Sequence, residues 1–321
     1  EQLAELRNSR YSRQMLFRPI GPEGQRRLAS SSVLVAGMGA LGTVLASHMV
    51  RAGVGTLRIV DRDYVELSNL QRQMLFDEDD AARMLPKAIA AQQKLSRINS
   101  DVKLEALVAD MTPANIEKFI SGMDLVLDGT DNFRTRLLLN DACFKLGIPF
   151  VYGGAVSSQG MTAMLVPGET CCLRCLIGSG AASGGQTCDT VGVVAPIVDI
   201  VASFQAVEAL KYLAGDRTAR RDGLLSLDIW HYQCMNIRLP APKPDCPSCG
   251  LKMYPALSED EPDAAAMCGR ETVQIHGKRP FDLEKWEQHL APSCAVTRNP
   301  FLLRADLPEG ERLVLFPDGR V

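Results

Sequence analysis

No stretch of this chain approaches the ~18 consecutive apolar residues that a membrane-spanning helix requires, so no bilayer span is expected. A secretory leader is also lacking: Glu1 to Arg18 is polar and Arg-rich with no apolar core segment, and a cytoplasmic protein is the expectation. There is no basic excess. With 35 Lys and Arg against 38 Asp and Glu the net charge is −3, which argues against a general nucleic-acid binder. The histidines (His48, His231, His276 and His289) show neither metal-ligand nor triad spacing. No G-x-x-x-x-G-K-[ST] segment occurs, which excludes a P-loop, and no Tyr-x-x-x-Lys pair supports hydride transfer.

What is present reads as a globular α/β chain. Apolar residues make up 46% of the 321 positions and charged residues 23%, enough to bury a sizeable core. Val33 to Ala36 is a short apolar run ending in glycines, suited to a strand buried on both faces. Leu41, Leu45, Met49 and Ala52 recur at helical spacing, with Gly53 placed to cap the helix. Thr56 to Val60 is a second strand, ending at Asp61 and completing a βαβ unit of about 30 residues. The alternation then predicts a helix over Pro86–Ile98 and a strand over Val102–Val108. A helix opened by Thr112 and Pro113 and running to Ile120 follows, then a strand over Asp124–Asp128, a helix over Asn132–Leu146 and a strand over Pro149–Tyr152. This order implies a Rossmann-like, doubly wound sheet.

Farther on, Gly178 to Gly185 reads as a flexible loop, followed by a long apolar helix over Ala195–Leu213 and strands at Leu224–Ile229 and after His231. The expected division is an α/β domain over 1–257, an acidic linker over 258–266, and a small α+β appendage over 267–321. The appendage would contain one helix, Asp282–Leu290, and strands at Phe301–Ala305 and Arg312–Phe316, with no identifiable chemistry.

Three constellations carry chemistry. In the first, Gly37-Met38-Gly39-Ala40-Leu41-Gly42 links a strand to a helix, with Asp61 about 20 residues on. Glycines there let the backbone approach phosphate, the helix N-terminus offers N–H donors, and the carboxylate suits a ribose hydroxyl. Taken alone, this pattern favours NAD over ATP. The second is Asp61-Arg62-Asp63-Tyr64-Val65-Glu66-Leu67-Ser68-Asn69-Leu70-Gln71-Arg72-Gln73, with Lys87 shortly after and Asp131-Asn132 beyond the strand carrying Asp128. Cations beside carboxylates at strand ends suit a triphosphate with Mg²⁺, although an isolated Arg72 or Lys87 is more often a solvated charge and Asp131 a helix cap. The third is a pair of C-x-x-C knuckles, Cys172/Cys175 and Cys246/Cys249, the pattern of a closed tetrahedral zinc site. Cys172 rather than Cys171 has the required spacing. Cys188, near the start of the long helix, is either a reactive thiol or a small packed residue.

The segments Arg10-Tyr11-Ser12-Arg13-Gln14, the glycine turn, Asp61 to Gln73, Lys87 and Gly129-Thr130-Asp131-Asn132 resemble the ThiF/MoeB family of adenylyltransferases, bacterial relatives of ubiquitin-activating enzymes, over about Arg10 to Gly250. The run from Cys268 to Ile275 resembles the extension on ThiF proteins of thiamine-thiazole synthesis in Gram-positive bacteria. The resemblance implies ATP-dependent adenylation of the C-terminal glycine of a ubiquitin-like sulfur-carrier protein ending in Gly-Gly. A ThiS-like carrier is the first choice and a MoaD-like one the alternative. The implied contacts are adenine and ribose against Gly37, Gly39, Ala40, Gly42 and Asp61, phosphates on Asn69, Arg72 and Lys87, and Mg²⁺ on Asp131. Asp63, Ser68, Leu70, Gln71, Gln73 and Asn132 complete the expected ATP-contacting set. Arg13 would reach the ATP of the second subunit of a homodimer, and a sulfur-donor protein is a further possible partner. Cys188 matches a cysteine that carries a covalent sulfur-transfer link in ThiF relatives and is dispensable in MoeB. An NAD-dependent oxidoreductase and a docking-only pseudoenzyme are the readings from other classes.

Overall fold

The computed structural model describes residues 10–178, 191–258, 264–266, 273–275, 277 and 279–321. Cys188 and most of the glycine-rich loop before it lie outside the described residues, as does most of the predicted linker.

One eight-stranded sheet organises the larger part of the chain. Its parallel half has the order β3 (Lys103–Val108), β2 (Thr56–Asp61), β1 (Ser32–Ala36), β4 (Leu125–Asp128), β5 (Phe150–Val156). Three antiparallel strands extend it: β6 (Gln159–Leu165), β7 (Gly223–Asp228) and β8 (Gln233–Arg238). The period-2 pattern of β1 shows why its run is apolar throughout. Val33 and Val35 face one core while Leu34 and Ala36 face the other. The first core lies under the helices Ala40–Ala52, Lys87–Ile98 and Ala195–Ala214, where Leu45, Met49, Leu95 and Val201 are wholly buried. Each such side chain contributes about 1.5–3 kcal/mol through burial. The second core lies under Phe133–Leu146 and carries the cysteine knuckles.

Several local expectations shift by a few residues. The helix expected from Thr112 begins at Ile116, because the Asn115 Oδ1 accepts the Thr112 backbone N–H at 2.9 Å and closes a turn instead. Strand β5 runs past Tyr152 through Gly153 and Gly154 to Val156, where Val156 pairs with Gln159 of β6. Gly153 is required there: a Cβ would lie 2.2 Å from the Gln205 Oε1 of the long helix. A short helix at Glu78–Ala82, opened by a reciprocal Asp77/Asp80 capping box, has no counterpart in the sequence reading.

In the C-terminal part, the strands Ala295–Arg298, Leu303–Asp306 and Arg312–Leu315 form an antiparallel sheet. The helix Leu283–Leu290 packs on it around Leu303, Ala305 and Leu315. Ala264–Ala266, inside the stretch read as a linker, pairs antiparallel with Val273–Ile275. No helix among the described residues is long and apolar enough to cross a membrane.

Candidate functional site

Parallel pairing of β1 with β2 and β4 brings Gly37, Asp61 and Asp128 to the same edge of the sheet. The glycine turn is constrained by packing. A Cβ on Gly42 would lie 1.9 Å from the Gly37 carbonyl oxygen, and Gly37 itself has φ +86° with the Gly129 oxygen 2.8 Å from its would-be Cβ. Gly39, the N-cap of helix Ala40–Ala52, is different. The nearest atom to a Cβ there is the Gln73 Nε2 at 3.9 Å, so this side of the turn stays open. Ala40 keeps a negative φ as the first helical residue, and its methyl group causes no strain.

Asp61 ties the turn to the end of β2 by accepting the Met38 N–H at 2.6 Å and the Asp63 N–H at 2.7 Å. Burial pushes its carboxyl above the ordinary range and Lys87 pulls it back. Lys87 opens its helix with Pro86 as N-cap, lies almost entirely buried, and pairs with the Asp63 carboxylate at 3.3 Å. Its own N–H donates to the Asp63 carbonyl at 2.8 Å. Arg62 pairs with Asp110 at 3.1 Å.

The segment after β2 folds into a turn at Leu67–Asn69, where the Asn69 Oδ1 accepts the Glu66 N–H at 3.1 Å and the Asn69 carbonyl accepts the Gln73 N–H at 2.9 Å. Asn69 and Gln73 are buried, yet the Asn69 Nδ2 and the Gln73 Oε1 have no hydrogen-bond partner. A buried polar atom without a partner costs about 1–3 kcal/mol, so a donor and an acceptor left open beside a glycine turn fit a polar ligand. Arg72 is half-buried, with its guanidinium on the Ser68 carbonyl at 3.1 Å; Leu70 is half-buried, and Ser68 and Gln71 are exposed.

Beyond β4, Asp131 is exposed, and the Asn132 Oδ1 caps helix Phe133–Leu146 by accepting the Thr135 N–H at 2.9 Å. Underneath lies an ion pair absent from the sequence reading. Arg136 Nε donates to Asp128 Oδ2 at 3.0 Å, and the Arg136 Nη2 donates to the carbonyls of Thr130 at 2.7 Å and Gly153 at 3.0 Å. The Thr130 hydroxyl and N–H both donate to Asp128 Oδ1. The turn carrying Asp131 is thus fixed from below. No local motif announces Arg136; its eight-residue offset from Asp128 becomes informative only once the strand and helix are folded together.

Arg13 stands apart. It is exposed on the short helix Ser12–Leu16, which packs at the C-terminal end of helix Ala40–Ala52 through Gln14, whose amide donates to the Ala52 carbonyl. That end lies about 20 Å along the helix axis from the glycine turn. Within one chain, Arg13 is not gathered with the other predicted phosphate-binding residues.

The four knuckle cysteines converge: their sulfurs all lie within 4.8 Å of one another, with Cys172–Cys246 at 3.5 Å and Cys175–Cys249 at 3.4 Å. Tetrahedral zinc with ~2.3 Å bonds needs sulfurs about 3.8 Å apart, so the set fits the metal. Cys171 is buried but outside the cluster. Asp141, wholly buried and unforeseen from the sequence, ties both knuckles together. It accepts two bonds from Arg174 at 3.1 and 2.8 Å, the Ser248 hydroxyl at 2.5 Å and the Ala256 N–H at 2.9 Å.

The ThiF family model matches residues 11–248 of the chain. A sulfur carrier protein ThiS adenylyltransferase of Bacillus subtilis is 47% identical over 316 residues, covering 97% of this chain and 93% of that protein. A molybdopterin-synthase adenylyltransferase of Escherichia coli is 36% identical over 253 residues, covering 78% of this chain and 99% of that one. Among solved structures, E. coli MccB with ATP aligns with a TM-score of 0.66 over 77% of this chain and 76% of that chain, at 22% identity.

Proposed function

Since this chain belongs to the ThiF family, we propose that it uses ATP to adenylate the C-terminal carboxylate of a ubiquitin-like sulfur-carrier protein of the ThiS type. The observation that carries the site is the pair of unpartnered buried amide atoms, Asn69 Nδ2 and Gln73 Oε1, beside an open Gly39 and a buried Lys87. The nicotinamide reading of the glycine turn gives way to family membership. The match to the Bacillus subtilis protein extends through the C-terminal appendage, whereas the molybdopterin-type relative covers 78% of this chain, which favours the ThiS-type carrier over the MoaD-type one.

In this reading the glycine turn and Asp61 receive adenine and ribose, while Asn69, Arg72 and Lys87 neutralise the phosphates. A carrier carboxylate oxygen attacks the α-phosphorus, the bond to the bridging oxygen breaks, and pyrophosphate leaves with that electron pair. The attacking carboxylate is already an anion, so no general base is needed, and the residues act by positioning and by offsetting charge. Asp131 would hold Mg²⁺, which would supply further neutralisation of phosphate charge. Cys172, Cys175, Cys246 and Cys249 would hold a closed, structural zinc. Arg13, remote from its own glycine turn, would serve the site of a second subunit in a homodimer. Cys188 is assigned to the later sulfur-transfer step, in which a sulfur-donor protein would take part.

The test is ATP–pyrophosphate exchange by the purified chain with carriers of the two types, each ending in Gly-Gly. Exchange is expected with the ThiS-type carrier, to be abolished by Asp131→Ala with zinc content unchanged, and to persist in Cys188→Ser. Absence of exchange with both carriers would overturn the reading.

A further inference from the structure

Several contacts of the C-terminal appendage with the rest of the chain fall on the backbone that leads to Asp63 and Lys87. Asn299 bridges the two parts. Its Oδ1 accepts the N–H groups of Phe301 at 2.8 Å and Leu302 at 2.9 Å, closing a turn within the appendage. Its Nδ2 donates to the carbonyls of Arg83 and Met84, both at 3.0 Å. Met84 has φ +48°, a left-handed conformation unusual for a residue with a side chain. Its side chain is buried in a small cluster with Leu302 and Phe316 of the appendage, against Tyr64 and Val314.

From Met84 the path to the site is three residues long. The Leu85 carbonyl accepts the Val65 N–H at 2.9 Å, Tyr64 bridges Pro86, and Lys87 follows with its ion pair to Asp63. A second tie meets the chain at Arg62, just before Asp63. Arg320 is almost wholly buried, stacks over Phe316, holds Asp318 through Nε, and donates through Nη1 to the Arg62 carbonyl at 3.1 Å. The Gln274 amide donates to Asp110, the ion-pair partner of Arg62, at 2.9 Å.

We propose that the appendage is a brace for ATP binding, with Asn299 and Arg320 as positioning residues that fix the backbone of Lys87 and of its ion-pair partner Asp63, so that Lys87 meets the phosphates. This rests on the assignment of Lys87 to ATP given above. Neither residue touches the nucleotide; each acts through Met84 or Arg62. A bond between an appendage and a site loop that only stabilised the fold would bear on all ligands alike. The Asn299 bonds end on the segment leading to Lys87 and the Arg320 bond on the residue before Asp63, so their loss should fall on ATP selectively.

Asn299→Asp breaks this tie, because a carboxylate keeps the acceptor that closes the appendage's own turn while losing both donors and setting an anion against the Arg83 and Met84 carbonyls. Arg320→Ala removes the second tie, and Arg320→Lys restores a cation with a donor. The full-length variants would be compared by ATP binding in calorimetry without carrier, by pyrophosphate exchange, and by melting. Expected are an ATP Kd and KM raised about tenfold in Asn299→Asp and Arg320→Ala, a carrier KM within twofold of wild type, and partial recovery in Arg320→Lys. Unchanged ATP affinity with a lowered melting temperature would overturn the brace, as would equal losses for ATP and carrier. A wild-type chain that binds no ATP would sink the functional reading itself, which keeps the two failures distinct.

Discussion

Arg136 and Asp128 form a buried ion pair, 3.0 Å from Nε to Oδ2, directly under the turn that presents Asp131. Asp128 also gathers the Thr130 hydroxyl and N–H, so the pair holds the four-residue connection, Gly129 to Asn132, between β4 and the next helix. Removing one member of such a pair strands a charge away from water, which typically costs about 3–5 kcal/mol. Arg136→Met should therefore lower the unfolding free energy by that amount in urea denaturation. Adding Asp128→Asn should return part of it, because the stranded charge is gone. A single variant as stable as wild type would show that the pair holds nothing.

Asp141 links the two knuckles through Arg174 and Ser248, one residue inside each C-x-x-C. Groups that orient metal ligands commonly alter metal affinity about 10–100-fold when removed. Asp141→Ala is expected to weaken zinc retention within that range, read by competition with a chromophoric chelator. Wild-type retention would mean that the cysteines orient themselves.

Gly42 and Gly39 should separate folding from binding. A methyl group at Gly42 would overlap the Gly37 carbonyl, so Gly42→Ala should melt far below wild type. At Gly39 the nearest atom is 3.9 Å away, so Gly39→Ala should keep its melting temperature and lose ATP affinity, because the methyl group fills the open side of the turn. Thermal melts beside nucleotide titrations check both; equal melting temperatures in the two variants would contradict the packing argument.

His48, on the first helix, approaches the Ser203 hydroxyl at 3.4 Å. His48 keeps much of its surface exposed, and the desolvation of the rest of its ring lowers its pKa below the ordinary 6.5, with Arg51 adding to this and Asp199 opposing it. The folded state prefers the neutral ring. Its stabilising contribution is intact above about pH 6.5 and is lost as pH falls toward the folded value, where only the unfolded chain has taken up the proton. Between about pH 7.5 and 5.5 the wild-type melting temperature should fall more steeply than that of His48→Gln. Parallel slopes would show that other groups set the trend.

The parallel half of the sheet was legible because its code is local: apolar runs ending in glycine or aspartate, each followed by a helical repeat. The glycine turn, Asp61 and the four knuckle cysteines were legible for the same reason, as fixed short spacings. Arg136 and Asp141 were not, since each becomes meaningful only through partners that the fold brings from elsewhere. Asp141 meets Arg174, Ser248 and Ala256 across three separate segments. The end of β5 was hidden by Gly153 and Gly154, which look like a break, although Gly153 is what lets Gln205 approach the strand. The start of the helix at Ile116 was hidden by an asparagine that satisfies the backbone before the helix can.

Cys172 and Cys246 are 74 positions apart in the chain, and their sulfurs sit 3.5 Å from each other. A divalent ion gripping both would also act when the native state is lost, since it would still close a ring of that size in the denatured polypeptide. Ring closure restricts the random chain by an amount that grows only with the logarithm of its length, so the ends would stay registered while the intervening long helix melts and re-forms. Refolding from denaturant should therefore be faster, and less prone to aggregation, when the ion stays bound than after it has been stripped.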